Sequence, residues 1–140
     1  MMFVDASAMV AVLLDETEGK RLTAALQSVP SASRVTNIIA VWETCVALFR
    51  NKRISMIEAE ALVANFLSLA KVEVLEISPT DASIALSAFE RYGRHRFPNT
   101  ADRNRALNLA DCFHYASATS RSMPILTTDG AFALTDLRTA

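Results

Sequence analysis

The chain has 140 residues, 51% of them hydrophobic, with a mean hydropathy of +0.24 and only 3 Gly and 4 Pro. That is enough for a single domain over 1–140 with a real core, and it excludes a disordered segment. The net charge of −1 provides no global positive field for nucleic acid. No apolar run reaches about 18 residues and no signal-peptide pattern opens the chain, so the expectation is a cytoplasmic protein with no membrane contact.

Met2-Phe3-Val4 reads as a buried strand that ends in Asp5-Ala6-Ser7 and feeds a helix through Leu14, with a break near Asp15. A second helix is expected from about Thr17, with Leu22, Ala25, Leu26 and Val29 at helical spacing and Pro30 as its stop. Ser31 to Asn37 reads as a loop. Ile38 to Phe49 is a helix closed by Arg50, Lys52 and Arg53, the charge sign its C-terminus favours. Ser55-x-x-Glu58 is a capping box for a helix to about Ala70. Val72 to Ile77 alternates as a half-exposed strand. Ser78-Pro79 starts a helix whose buried face is expected to be Ala82, Ala85, Leu86, Phe89 and Tyr92. Gly93 to Arg105 is an arginine-rich loop, and Leu107 to Ala118 is a helix capped by Asn108. Pro124 to Thr127 is a short strand, Thr128-Asp129-Gly130 a turn, and the tail is weakly patterned. Strands alternating with helices predict a mostly parallel sheet covered on both faces, with sites beyond the carboxyl ends of its strands. Cys45 and Cys112 read as reduced packing residues.

Four acids sit where packing alone does not call for them. Between Arg105 and Arg121 the only formally charged side chain is Asp111, on a helix that is apolar nearly all round and therefore expected to be buried. It is capped locally, paired with a cation, or ligating a metal. As a local cap it would sit at N3 of the helix, bonding back to Asn108. Asp5 follows a strand and reads alone as an N-cap. Glu43 interrupts Ala40-Val41-Trp42-Glu43-Thr44-Cys45-Val46, where the structural reading is a solvent-facing notch. Asp129 precedes Gly130, as in an ordinary Asp-Gly turn. Together they require four separate structural explanations, or one oxygen-rich site for Mg²⁺ or Mn²⁺. A metal pair at such a site activates water for in-line attack on a phosphodiester.

Phe3-Val4-Asp5-Ala6-Ser7, Glu43 in an apolar helix, Asn108-Leu109-Ala110-Asp111-Cys112 and Ile125-Leu126-Thr127-Thr128-Asp129 occur in the order seen in PIN-domain ribonucleases. Over nearly its full length the chain resembles the VapC toxins of bacterial type II toxin–antitoxin systems. The resemblance implies a three-layer α/β/α fold with a mostly parallel sheet and a Mg²⁺- or Mn²⁺-dependent endoribonuclease. It implies Asp5 and Asp111 as principal metal ligands, Glu43 and Asp129 completing the acidic pocket, and Ser7 supporting Asp5. It further implies a homodimer and a cognate antitoxin whose tail lies across the active-site groove, and the high apolar content is compatible with both. Many relatives carry Gly-Asp-Asp-Phe or Gly-Asn-Asp-Phe where this chain has Asp129-Gly130-Ala131-Phe132, and the loop from Arg94 to Arg105 is longer than in close relatives.

Arg94, Arg96 and Arg103, with Arg91 and Arg105, form a candidate contact for RNA phosphates. His95 reads as a loop residue and His114 as a packed or polar-facing one. A phosphatase of the haloacid-dehalogenase type needs an aspartate where this chain has Ser7. A nucleotide-binding loop needs clustered glycines that the chain lacks. The remaining alternative is a catalytically inactive PIN-like RNA- or protein-binding module.

Overall fold

Met2–Val4 (β1) is a three-residue strand with every side chain buried, and it is the centre of a parallel sheet. The computed structural model describes all residues from Met1 to Ala140. In chain order the other elements are Ala6–Leu13 (α1), Gly19–Gln27 (α2), Arg34–Asn37 (β2), Ile38–Lys52 (α3), Met56–Ala70 (α4), Glu73–Leu75 (β3), Pro79–Tyr92 (α5), Leu109–Thr119 (α6) and Ile125–Leu126 (β4). Short 3₁₀ turns lie at Ser31–Ser33, Arg94–Arg96, Thr100–Arg105 and Gly130–Leu134.

The strands are all parallel and lie in the order β3-β2-β1-β4. The chain steps outward from β1 to β2 to β3 through a helix pair each time, then returns through α5 and α6 to the other side of β1. Such crossovers are right-handed, so this reversal carries α5 and α6 to the opposite face from α1 and α2 and produces an α/β/α sandwich. The switch in direction falls between β1 and β4, where Phe3 pairs with Ile125 and Val4 with Leu126. In open sheets of this kind the crevice at the carboxyl ends of the strands beside the switch is where ligands bind. Asp5 follows β1 into that crevice, and Thr127 to Asp129 follow β4.

The sequence reading missed β2, which was expected to be loop. Only Val35 in Arg34-Val35-Thr36-Asn37 is apolar, so periodicity gives no signal. The strand is buried by tertiary hydrogen bonds instead, with Thr36 Oγ1 donating to the Val4 carbonyl at 2.8 Å. The Arg34 guanidinium donates to the carbonyls of Val29 and Ala70, tying together the ends of α2 and α4, where a cation is favoured. The tail, expected to be unpatterned, returns to the sheet: Thr139 bridges Ile125 in parallel and Ala140 donates to the Ile125 carbonyl.

Two helix faces also differ from expectation. On α5 the buried side is Asp81, Ala85 and Ala88, not Leu86 and Phe89, which are 71% and 49% exposed. On α6 the helix is buried nearly all round, His114, Tyr115, Ser117 and Ala118 included, yet Leu109 at its start is 71% exposed. Ser55 caps α4 by accepting from the Glu58 N–H, but the reciprocal half of the expected box is not made. Cys45 and Cys112 are free and buried, as read.

Most of the core gathers around Phe3, Met9, Leu22, Val35, Leu107, Ile125, Leu126 and Phe132. A smaller cluster of Cys45, Leu48, Ala59 and Val63 lies between α3 and α4. Gly93 ends α5, and its N–H donates to the Phe89 carbonyl at 2.7 Å. A Cβ there would stand 2.4 Å from the Phe89 carbonyl oxygen and 2.8 Å from its ring. Because the obstructing atom is backbone, Gly93→Ala is expected to cost about 1–3 kcal/mol, as overpacking does. A urea midpoint equal to wild type would refute that.

Candidate metal centre

At the carboxyl edge of the sheet each predicted acid has a specific hold. Asp5 stands at the N-cap position of α1, yet its side chain makes no capping bond, against the simple cap reading. Its Oδ2 instead accepts from Ser7 Oγ at 2.7 Å and from Thr127 Oγ1 at 2.8 Å. Ser7 in turn accepts from the Thr128 N–H, and Thr127 Oγ1 from the Asp129 N–H, so the ends of β1 and β4 are stitched through Asp5. Ser7, the residue the resemblance places beside Asp5, is hydrogen-bonded to it. Thr127 was quoted in the sequence only as part of a motif.

Asp111 fulfils its local reading. Asn108 accepts from the Asp111 N–H at 2.8 Å and Asp111 Oδ2 accepts from the Asn108 N–H at 3.0 Å, a complete capping box. Only one carboxylate oxygen is used, and Oδ1 engages no donor of the chain. Asp129 behaves in the same way, with Oδ1 capping the 3₁₀ turn through the Ala131 N–H at 2.9 Å. For both acids the cap fixes the side chain and leaves an oxygen free.

Glu43 is not a solvent-facing notch. Its Oε1 lies 2.5 Å from Nε2 of the fully buried His114, and that nitrogen is 3.7 Å from Asp5 Oδ1. Asp5, Glu43 and His114 each present one ligand atom with all three inside 4.8 Å, a spacing that a divalent ion can span. Asp111 and Asp129 stand outside this tight group but inside its field. Burial, together with the charges of Asp129 and Asp5, pushes the Asp111 carboxyl up to about 7. Burial and the charges of Asp5 and Glu43 also raise that of Asp129. None of the four acids forms an ion pair with a lysine or arginine.

Of the predicted phosphate contacts, Arg94, Arg96 and Arg103 are exposed. The Thr100–Arg105 turn packs against Gly130–Leu134, the segment that follows Asp129. Arg96 donates to the Glu90 carbonyl, and Arg105 reaches Asp102 at 3.8 Å. Arg91 is employed otherwise: it bonds Asp136 and both tyrosine hydroxyls, Tyr92 and Tyr115, fastening the tail. His95 is exposed, tilted against the Phe89 ring and bonded to the Glu90 carbonyl.

A mononuclear or binuclear Mg²⁺ or Mn²⁺ site suits this donor set. It offers hard carboxylate oxygens, partly free and mutually repelling, with no lysine or arginine to neutralise them. The sheet order, the crevice at its switch point and this acidic cluster define the PIN fold, and the PIN-domain family model matches residues 2–137. The chain belongs to the PIN-domain family and is homologous to the VapC-type toxins within it. It is 31% identical over 136 residues to Ribonuclease VapC of Mycolicibacterium smegmatis, covering 97% of each chain. It is 32% identical over 139 residues to Ribonuclease VapC42 of Mycobacterium tuberculosis, covering 99% of this chain and 98% of that one. Among solved structures its fold matches Mycobacterium tuberculosis VapC20, titled a Sarcin-Ricin loop cleaving toxin, with a TM-score of 0.71 at 18% identity over 98% of this chain and 96% of that one. It also matches FitAcB of Neisseria gonorrhoeae, with a TM-score of 0.68 at 17% identity over 99% and 96%.

The Asp111 carboxyl is pushed up to about 7 in the fold and that of Asp129 is raised in the same direction, whereas both return to their ordinary values in the unfolded chain. Between roughly pH 4 and 7 the folded state therefore binds more protons, and metal-free stability falls as pH rises through that window. The thermal midpoint in EDTA is expected to be higher near pH 5.5 than near pH 8, with Mg²⁺ stabilising most at the higher pH. A midpoint that climbs with pH across the window contradicts the acid cluster.

Proposed function

We propose that this protein is a Mg²⁺- or Mn²⁺-dependent endoribonuclease toxin that hydrolyses RNA phosphodiester bonds and is neutralised by a cognate antitoxin in the cytoplasm. The observation that carries this reading is the convergence of four carboxylates at the sheet's switch point, none of them paired with a lysine or arginine. The names of its VapC relatives support ribonuclease action.

In this reading Asp5, Glu43, Asp111 and Asp129 hold the metal, through the oxygens that the caps and hydroxyls leave free. When bound, the metal activates water and stabilises the charge that develops on the phosphodiester. Ser7 and Thr127 fix the Asp5 carboxylate so that it need not reorganise, and burial of Asp111 keeps bulk water from screening it. Arg94, Arg96 and Arg103 grip substrate phosphates, which supplies affinity with little sequence reading.

Partner surfaces are apolar. Beside Glu43 a groove is lined by Ile38, Ile39, Trp42, Leu109 and Ala110, with Trp42 65% exposed. In this reading the groove takes the antitoxin segment, next to the acids it must block. Leu86, Phe89, Leu109 and Phe113 line a second apolar surface between α5 and α6, which we assign to the homodimer.

The decisive experiment is cleavage of RNA in Mg²⁺ or Mn²⁺ by wild type beside Asp111→Asn, with the cut sites mapped. Wild type is expected to cut, and the variant to lose on the order of a hundredfold or more, as removal of a residue that stabilises transition-state charge does. No cleavage by either protein leaves the inactive binding module as the better reading, and equal cleavage by both removes Asp111 from the catalytic site. For the dimer, Leu86→Glu with Phe89→Glu is expected to reduce the sedimentation mass from twice 15.3 kDa to the single chain. An unchanged mass moves the interface elsewhere.

A further inference from the structure

We propose that His114 is a positioning residue for Glu43: Asn37 locks its imidazole as the Nε2–H tautomer, and that hydrogen holds the Glu43 carboxylate at the acid pocket while keeping His114 out of the metal's ligand set. The role of Glu43 in this inference rests on the nuclease reading above; the state of the imidazole does not.

The argument begins at the N-terminus of α3. Asn37 Oδ1 accepts from the Ala40 N–H at 2.9 Å, and this cap decides which end of the amide points outward. The other end, Nδ2, therefore faces the interior, 3.0 Å from Ser117 Oγ and 3.2 Å from His114 Nδ1. An amide nitrogen has hydrogens to give and no lone pair to receive with. Nδ1 must then be the acceptor, and a neutral imidazole that accepts at Nδ1 carries its proton at Nε2. That nitrogen is the one 2.5 Å from Glu43 Oε1.

A metal on Nε2 would need the lone pair there and would push the proton to Nδ1, against the Asn37 amino group. Turning the amide to relieve that clash would set its amino group against the Ala40 N–H and uncap α3. The ring has no room to swing away, since it is fully buried with Phe3 tilted against it at 5.6 Å. The close approach of Asp5, Glu43 and His114 is thus two ligands and the donor that orients one of them. A donor that hydrogen-bonds a metal ligand fixes that ligand's direction and changes metal affinity when removed. Asn37 caps the helix that carries Glu43, so one amide sets both the start of α3 and, through the imidazole on α6, the aim of its acid.

The test reads the imidazole directly, by long-range ¹H–¹⁵N correlation of the two histidines in the metal-free protein and at saturating Mg²⁺. His114 is expected to show a bare Nδ1 and a protonated Nε2 in both states. A proton on Nδ1, or its loss from Nε2 on adding Mg²⁺, overturns the proposal. Two variants extend the test by calorimetric titration with Mg²⁺. His114→Gln keeps an N–H donor toward Glu43 but has no nitrogen lone pair for a metal, and is expected to bind within about threefold of wild type. His114→Leu is expected to lose about 10–100-fold, the range for losing a hydrogen-bond partner of a metal ligand. If His114→Gln loses as much as His114→Leu, the residue is a ligand and the proposal fails. Should His114→Leu not fold, the tautomer and the glutamine variant still decide it. A wild type that shows the expected tautomer and binds Mg²⁺ yet cuts no RNA defeats the nuclease reading alone.

Discussion

Mutual repulsion among four carboxylates at one edge of a parallel sheet is the constraint around which this protein is arranged. Burying even one unpaired carboxylate costs several kcal/mol after relaxation, and here the cost shows as the raised pKa of Asp111 and Asp129. An arginine placed among them would relieve the apo fold and occupy the site permanently. The chain has arginines close by, on the Thr100–Arg105 turn and at Arg91, and uses them elsewhere: Arg91 holds Asp136 and the tyrosines, and Arg105 meets Asp102. The negative potential is left unneutralised by any lysine or arginine, which is compatible with a divalent cation there. The stability to carry it comes from the continuous core below, where β1 is buried on both faces and Phe132 seals the segment after Asp129.

How the acids are held follows a common pattern. Asp111 gives one oxygen to a capping box, Asp129 gives one to a 3₁₀ turn, and Asp5 gives one to two hydroxyls. In each case the backbone or a neighbouring hydroxyl fixes the side chain and a second oxygen remains. Local structural roles and a metal-binding role are therefore not rivals at these positions. A cap immobilises a carboxylate at little cost, and a carboxylate that is already immobile loses less entropy when it takes a ligand.

This dual use also explains what could be read from the sequence. The acids were visible because Glu43 and Asp111 interrupt apolar helices and Asp5 and Asp129 follow apolar strands, and their order along the chain pointed to one site. The parallel sheet was visible from Met2-Phe3-Val4 and Ile125-Leu126, where continuous apolar residues mark buried strands. β2 was invisible because Thr36 and Asn37 are buried through hydrogen bonds to distant residues, which no local period encodes. The buried side of α5 was misread because Leu86 and Phe89 share the helical spacing of core residues while facing outward. Hydropathy reports that a face seeks cover, not whether the cover belongs to the same chain. The role of His114 was hidden for a related reason. Three residues after Asp111 on one helix it could be seen to share a face with it, but the Asn37 amide that sets its tautomer lies 77 positions away.

The apolar groove and the acid pocket share their walls, and this ties recognition to chemistry. Trp42 and Glu43 are consecutive on α3, so their side chains diverge by about 100° around the helix: one lies out in the groove, the other turns to His114. Leu109 and Asp111, two positions apart at the start of α6, diverge by about 200°, with the leucine exposed and the aspartate boxed against Asn108. A segment packed on Trp42 and Leu109 would press on the two helix starts whose caps, Asn37 and Asn108, aim the acids. In the proposed toxin, an antitoxin need not reach the metal to act on it. Covering the groove fixes the two helices that carry Glu43 and Asp111, and a charged side chain on that segment would have the acids directly beside it.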